Sequence, residues 1–295
     1  MKTIVALLSG LLLPGCAAPP VVADGAGLER LAGDYAFTEG PVADAAGNVY
    51  FTDQPNDRIV KWNAADGAVA DWMRPAGRAN GLYLTRDGAL LAAADEHNQL
   101  WSIAPDRTVT VLVKDYGGKL LNGPNDIWVS GRGDVYFTDP LYARSYWQRD
   151  PAMQQPGERV YLLRAGTEEP RVVLDDLQKP NGIVGSPDGR TLYVADIGAG
   201  RTWAYEIGPD GSLAGKRLFC ELGSDGMTVD NRGNVYLTGD GVTVFDREGN
   251  RIEHIDVPQE WTANVTFGGV NHDLLFITAS RAIYGIRMQV RGAGY

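Results

Sequence analysis

A short phrase recurs six times along this chain of 295 residues. It consists of a polar residue next to a glycine, a short apolar strand, a turn of Asp, Gly or Asn, and a second strand that usually ends in Asp. The copies begin at Glu39, Asn80, Pro124, Asn181, Asp225 and Phe267. A period of about 40 to 45 residues with several strands per unit is typical of a propeller blade. The sequence therefore predicts an all-β fold, a six-bladed β-propeller.

The strands of one repeat can be read directly from its letters. The first unit contains PVAD, NVYFTD, RIVKWN and AVADWM, which are short, rich in Val, Ile, Tyr and Trp, and bounded by turn residues. Because antiparallel strands alternate in direction, the start of the first strand and the end of the second lie on one face of the disc. The Asp87-Gly88 and Asp188-Gly189 pairs fall on the opposite face and are typical of hairpin turns.

The N-terminus has the pattern of a targeting segment. Residues 1–15 combine one lysine with a short apolar run, which predicts a secretory signal peptide and is too short to span a bilayer as a stable helix. The letters LPGC, ending at Cys16, resemble a bacterial lipobox, and simple removal of the leader stays open beside lipidation. We expect an exported protein, either anchored to a membrane through Cys16 or periplasmic or secreted, with a tether over 16–32 and the propeller over 33–290.

Charge and cysteine content exclude other classes of protein. The formal net charge is −10, which argues against a nucleic-acid partner because phosphate contacts need a basic patch. Such a surface is compatible with cation binding or with solubility alone. Lipidation of Cys16 would leave Cys220 as the only other cysteine, so no disulfide scaffold is expected. We interpret Cys220 as a buried structural thiol.

The third repeat carries an insertion, residues 140–159. The insertion extends from the face of the disc on which the first strands begin. Loops of this length without regular structure are usually functional, so we expect a lid or a substrate wall.

Four polar residues stand at the start of the first strand in four different repeats: Glu39, Asn125, Asn181 and Asp225. In a ring, these positions converge on the central axis. Two carboxylates and two amide oxygens suit Ca²⁺ or Mg²⁺ better than zinc, which favours His or Cys. The alternative is that Asn and Asp before Gly only shape turns. The sequence thus predicts a central metal site.

At this level of detail the chain resembles a known family. The stretches TEGPVADAAGNVYFTD, LNGPNDIWVSGRGDVYFTDP, KPNGIVGSPDGRTLYVAD and SDGMTVDNRGNVYLT are similar to those of the gluconolactonase, regucalcin (senescence marker protein) and luciferin-regenerating enzyme family. The resemblance covers about residues 33–288. It implies a six-bladed propeller that holds one divalent metal, usually calcium, on Glu39, Asn125, Asn181 and Asp225, and it implies lactone hydrolysis.

The function expected from this resemblance is metal-dependent opening of a small-molecule lactone, and the similarity to gluconolactonases implies a sugar-derived one. Ca²⁺ is the expected cofactor, with Zn²⁺, Mg²⁺ or Mn²⁺ as other divalent candidates, and the ion would polarise the carbonyl. The resemblance points to Asp225 as the catalytic base. Two alternatives stay open: a phosphotriester hydrolase on the same platform, and a non-catalytic propeller that binds carbohydrate or calcium.

Further residues are candidates for substrate binding. His97 follows Glu96 in an EH pair on the face where the first strands begin, and the family often has such a pair there. Asn122 flanks the Asn125 motif, and Tyr142 and Trp147 belong to the insertion, where aromatic faces can stack on a sugar ring. The insertion is longer than the corresponding arm of gluconolactonases.

Overall fold

The computed structural model describes residues 19–294 and confirms the predicted six-bladed β-propeller. Its strands form six sheets of four antiparallel strands each. In chain order the strands are β1 Glu29–Gly33, β2 Thr38–Ala43, β3 Val49–Asp53, β4 Arg58–Trp62, β5 Val69–Met73, β6 Ala79–Leu84, β7 Leu90–Ala94, β8 Gln99–Ile103, β9 Val109–Val113, β10 Ile127–Val129, β11 Val135–Asp139, β12 Arg159–Leu163, β13 Arg171–Leu174, β14 Pro180–Gly185, β15 Thr191–Asp196, β16 Arg201–Ile207, β17 Leu213–Cys220, β18 Met227–Val229, β19 Val235–Gly239, β20 Gly241–Phe245, β21 Arg251–Ile255, β22 Thr262–Gly268, β23 Leu274–Ala279 and β24 Ala282–Arg287.

Blades 1 to 5 are the consecutive groups β2–β5, β6–β9, β10–β13, β14–β17 and β18–β21. Two short 3-10 helices, Gln54–Asn56 and Ile197–Ala199, follow the second strands of blades 1 and 4. No helix in residues 19–294 is long and apolar enough to cross a membrane. We call the face on which the innermost strands begin the upper face, and the face that carries the turns between first and second strands the lower face.

Blade 6 closes the ring by joining the two ends of the chain. β22, β23 and β24 form its inner strands, and β1 pairs with β24 as the outermost strand. Thr38 is the first residue of blade 1, and its hydroxyl donates a hydrogen bond to the carbonyl of Ala282 in blade 6 at 3.1 Å. The closure therefore combines a strand pair on the outside with a buried hydrogen bond near the axis.

Two boundaries differ from the sequence prediction. The tether over 16–32 is too long, because Glu29–Gly33 is a strand and Val21 is buried. The sixth repeat was aligned too late, at Phe267, because its inner strand already begins at Thr262. The signal peptide and Cys16 lie outside the described residues.

The described chain enters the propeller on the lower face. Arg232 lies in the lower-face turn between β18 and β19, and its guanidinium donates to the Pro20 carbonyl at 3.3 Å. Val22 then forms a bridge with Met288, just after β24 ends. From there β1 runs up the outer edge of blade 6 to the start of β2.

Apolar side chains from adjacent blades pack between the sheets. The largest cluster joins blades 3, 4 and 5 and includes Tyr136, Leu192, Met227 and Val235. Cys220 belongs to it, is free, and its thiol pKa is raised to about 11 by burial. This confirms a structural thiol, because the reactive thiolate form is disfavoured.

The closure of blade 6 predicts that residues 19–33 contribute to the stability of the whole ring. A chain that begins at Asp34 loses Val21 from the core and β1 from the sheet. We expect its free energy of unfolding to fall by at least about 2 kcal/mol, the scale of burying one valine, in equilibrium denaturation with urea. A chain that begins at Pro19 is the control and should match the full-length chain, and equal midpoints for the two truncations would contradict the prediction.

Candidate active site

The innermost strands approach one another unusually closely where the predicted donors lie. A Cβ added at Gly40 would stand 2.1 Å from the Asn80 carbonyl oxygen, and one added at Gly81 would stand 2.4 Å from the Asn125 carbonyl oxygen. Only glycine fits such distances. Because Gly40 and Gly81 lie inside β2 and β6, these glycines serve strand packing, and the alternative that such pairs only shape turns is wrong there.

Asn181 and Asp225 come together from blades 4 and 5. The Asn181 Nδ2 donates to Asp225 Oδ1 at 2.8 Å and to the Tyr142 hydroxyl oxygen at 2.9 Å. The indole Nε1 of Trp261 donates to Asp225 Oδ2 at 2.6 Å. Tyr142 and Trp261 are partly exposed, so these two aromatic side chains form the outer layer of the cluster.

Glu39 lies on the same axis and is buried. Its Oε2 accepts from its neighbour Gly40 N at 2.8 Å and from Asn264 Nδ2 at 3.2 Å. Asn264 comes from β22, so blade 6 also contributes to the centre of the ring.

Asn125 is buried at the matching level of blade 3. Its backbone carbonyl accepts from Gly81 N at 2.7 Å. Within residues 19–294 its side chain makes no hydrogen bond. Its amide oxygen is therefore available to coordinate a bound ion.

The carboxyl groups of this cluster perturb one another. Burial, together with the charge of Asp225, raises the pKa of Glu39 well above its usual range. Burial raises the pKa of Asp225 to about 6 and that of the adjacent Asp126 to about 7. Negative charge is therefore concentrated on the axis, where the charge of Arg144 partly offsets the rise in the pKa of Asp225.

This arrangement fits a bound cation. The Asn181 Oδ1 is buried and has no hydrogen-bond partner among the described residues, which is costly unless a ligand is present. Within residues 19–294, no three His, Cys, Asp or Glu side chains converge to hold a metal by themselves, so amide oxygens would complete the site. A set of carboxylate and amide oxygens suits a hard divalent ion.

The insertion is fastened over the upper face at both ends. Asn122 Nδ2 donates to the carbonyls of Asp139 and Gly157 at 3.0 and 2.9 Å, and these residues lie at the start and the end of the insertion. Asn122 Oδ1 is buried without a partner among the described residues. Asn122 therefore positions the insertion.

The middle of the insertion is held by Asp95, a buried residue of blade 2. Its carboxylate accepts from Gln54 and Arg144, both at 3.0 Å, and from the Tyr146 hydroxyl. The Trp147 indole donates to the Asp95 carbonyl at 2.9 Å. Trp147, predicted as a substrate contact, thus fastens the insertion to blade 2.

His97 does not join the cluster. Its ring stacks on Trp101 with centroids 5.3 Å apart. It is exposed and lines a separate cavity with residues such as Met73 and Arg107. The structure thus places His97 apart from the cluster, and its role in substrate binding stays a prediction.

Two residues of the cluster were missed by sequence reasoning. Asn264 was hidden by the late alignment of the sixth repeat, and starting that repeat at Thr262 would have revealed it. Trp261 precedes β22 and has no counterpart in the repeat, so only its 38% exposure and its hydrogen bond to Asp225 identify it.

The fold and the cluster define a six-bladed propeller with a candidate cation centre on its axis. A family model described as the SMP-30/Gluconolactonase/LRE-like region matches residues 37–281. Since this is most of the chain, the protein belongs to that family.

Individual relatives agree with this assignment. The chain is 30% identical over 210 residues to the gluconolactonase of Zymomonas mobilis, and the alignment covers 62% of this chain and 56% of that relative. The match thus spans little more than half of the relative's length. A gluconolactonase structure from Xanthomonas campestris is 27% identical, with a TM-score of 0.80 over 96% of this chain and 99% of that one. The calcium-binding protein regucalcin from Agrobacterium tumefaciens shares the fold at 20% identity, with a TM-score of 0.77 over 90% of this chain and 95% of that one.

The raised carboxyl pKa values predict how the metal-free protein responds to pH. Unfolded carboxyl groups titrate near pH 4, so between about pH 4 and pH 7 the folded cluster binds more protons than the unfolded chain. Its contribution is therefore most favourable at low pH and becomes destabilising as pH rises. We expect Glu39→Gln to increase the melting temperature of the chelated protein, and to do so more at pH 7 than at pH 5. The gain should be about 2–4 °C for each kcal/mol recovered.

The control for this measurement is Glu168→Gln, which changes an exposed carboxylate on blade 3. It should leave the difference between the two pH values as in the unmodified chain. The same difference in melting temperature between the two pH values in all three proteins would show that the pKa of Glu39 is not raised.

Proposed function

We propose that this protein is a lactone-hydrolysing enzyme whose reaction takes place on the upper face, against the cluster of Glu39, Asn125, Asn181 and Asp225. The observation that carries the proposal is the buried carboxyl group of Glu39 beside the charge of Asp225, together with an unpartnered amide oxygen, beneath partly exposed aromatic side chains. Membership of a family whose members include gluconolactonases supports a sugar-derived lactone as the substrate.

We propose that Ca²⁺ or another divalent cation is held by these four residues. When bound, such an ion supplies a Lewis acid that polarises a carbonyl oxygen. The neutral amides keep the net charge of the donor set at −2, which matches a divalent ion. Calcium binding by the regucalcin structure supports this choice of ion.

Asp225 is the proposed general base. It is partly exposed, and in the metal-free protein its pKa of about 6 leaves it largely ionised at neutral pH. In the reaction the oxygen of water bonds to the acyl carbon while Asp225 takes up a proton from it. The ring C–O bond breaks, and that proton passes to the departing ring oxygen, so that the product is a hydroxy acid.

Tyr142 and Trp261 orient the substrate in this proposal. Burial raises the pKa of Tyr142 far above neutrality, so its hydroxyl stays protonated and acts as a hydrogen-bonding group. Trp261 presents an exposed ring beside Asp225, and such a ring can pack on the face of a sugar.

Activity should depend on a divalent cation and on Asp225. We expect chelation to abolish lactone hydrolysis and added Ca²⁺ to restore it. Asp225→Asn keeps an oxygen donor but removes the base, so kcat should fall at least about a hundredfold while calorimetry still detects Ca²⁺ binding. His97→Ala is the control and should stay within about twofold of the unmodified enzyme, as expected for a surface substitution. Full activity after chelation, or an inactive His97→Ala with an active Asp225→Asn, would contradict the proposal.

Trp261 should influence both the acidity of Asp225 and the affinity for substrate. Its indole N–H stabilises the ionised carboxylate, so Trp261→Phe should raise the pKa of Asp225. The acidic limb of the pH–kcat/KM profile should then shift to higher pH. Trp261→Ala also removes the ring and should raise KM about threefold to tenfold. An unchanged acidic limb in Trp261→Phe would show that Asp225 is not the group that titrates.

A further inference from the structure

Two cationic side chains flank Tyr142, which caps the cluster. The ammonium group of Lys179 lies 4.6 Å from the centroid of the Tyr142 ring, and the guanidinium carbon of Arg144 lies 5.7 Å from it. The hydroxyl of the same tyrosine is bonded to Asn181. Positive charge is therefore concentrated at the outer layer of the site, directly above the buried carboxylates.

Arg144 has donors to spare. Its Nε donates to Asp95, whereas its two Nη groups have no hydrogen-bond partner within residues 19–294. The side chain is partly exposed, and its charge acts on Asp225. A guanidinium edge with free N–H groups is well suited to bidentate binding of a carboxylate.

Lys179 has no salt-bridge partner within residues 19–294, although its charge acts on the half-buried carboxyl group of Glu158. Its ammonium group donates to the Leu141 carbonyl at 3.2 Å. Lys179 immediately precedes β14, the strand that carries Asn181. It is thus held beside the cluster by the blade itself, independently of the middle of the insertion.

Asp95 explains the orientation of Arg144. It is buried and already accepts hydrogen bonds from Gln54 and Tyr146. It fixes the Nε edge of Arg144, which leaves the Nη groups for another ligand. Asp95 is therefore a positioning residue, acting through Arg144.

We propose that Arg144 and Lys179 bind a carboxylate of the substrate, so that the preferred substrate is a sugar lactone that carries a free carboxylate besides the ring ester. This inference rests on the proposed lactone hydrolysis. The reaction is unchanged: water opens the ring ester, and the second carboxylate takes no part in bond making or breaking.

The test compares two lactones that differ in a single group. D-Glucono-1,4-lactone and D-glucaro-1,4-lactone share the same ring, but only the second bears a carboxylate at C6. We expect the calcium-loaded enzyme to have the higher kcat/KM with the glucaro compound. Because exposed charges are screened by salt, this preference should shrink as ionic strength rises.

Variants then assign the preference to residues. Arg144→Gln and Lys179→Gln should each lower kcat/KM for the acidic lactone, Arg144→Gln by about tenfold or more, as expected for loss of a charged hydrogen bond. In each variant the loss on the neutral lactone should be smaller, so that the ratio of the two kcat/KM values falls. Lys216→Gln, which changes a cation paired with Asp176 on the outer strand of blade 4, is the control and should change neither value.

Lys179→Gln keeps the test decisive, since Arg144→Gln also breaks the contact with Asp95 and can loosen the insertion. Asp95→Asn should reproduce the selective loss on the acidic lactone, and a loss on both lactones would mean that Asp95 only fastens the insertion. Equal kcat/KM for the two lactones, or equal losses in Lys179→Gln, would overturn the inference and leave lactone hydrolysis standing. Failure to hydrolyse either lactone would overturn both.

Discussion

The close approach of the innermost strands is the constraint on which the rest of this structure depends. Where Gly81 meets the Asn125 carbonyl, and where Gly226 meets the Asn264 side chain, no Cβ can be accommodated. Backbone hydrogen bonds such as Gly81 N to the Asn125 carbonyl, at 2.7 Å, then join consecutive blades at the axis. Because the strands come so near the axis, polar side chains next to these glycines contact one another. The carboxylate and amide oxygens of the cluster therefore gather at the centre of the ring.

That convergence has an electrostatic cost, which explains the chemistry of the site. Burial raises the pKa values of both Glu39 and Asp225, and the charge of Asp225 adds to the rise at Glu39. A ring built only for stability would gain from apolar residues at these positions. This cost supports the proposal of a divalent ion at the centre of the ring, with the cations Arg144 and Lys179 placed around Tyr142.

The blade count and the central donors could be predicted from the sequence because each repeat carries the same local signals. Glu39, Asn181 and Asp225 stand at equivalent points of their repeats, so the ring brings them together. His97 lies apart from them, because its ring packs against Trp101 in a contact that the repeat does not record. Trp261, Arg144 and Asp95 were not identified, since their roles arise from contacts between segments far apart in the chain, which no periodicity records.

The route by which the chain enters the propeller has a consequence for how the molecule is oriented. Pro20 and Val22 contact the lower face, whereas Tyr142 and Trp261 line the upper one. Anything that holds the protein by the residues before Pro19 therefore pulls on the side remote from the substrate. A molecule tethered in this way would turn its reactive face outward, toward the surrounding solution, and small molecules would reach it without passing between the protein and its support.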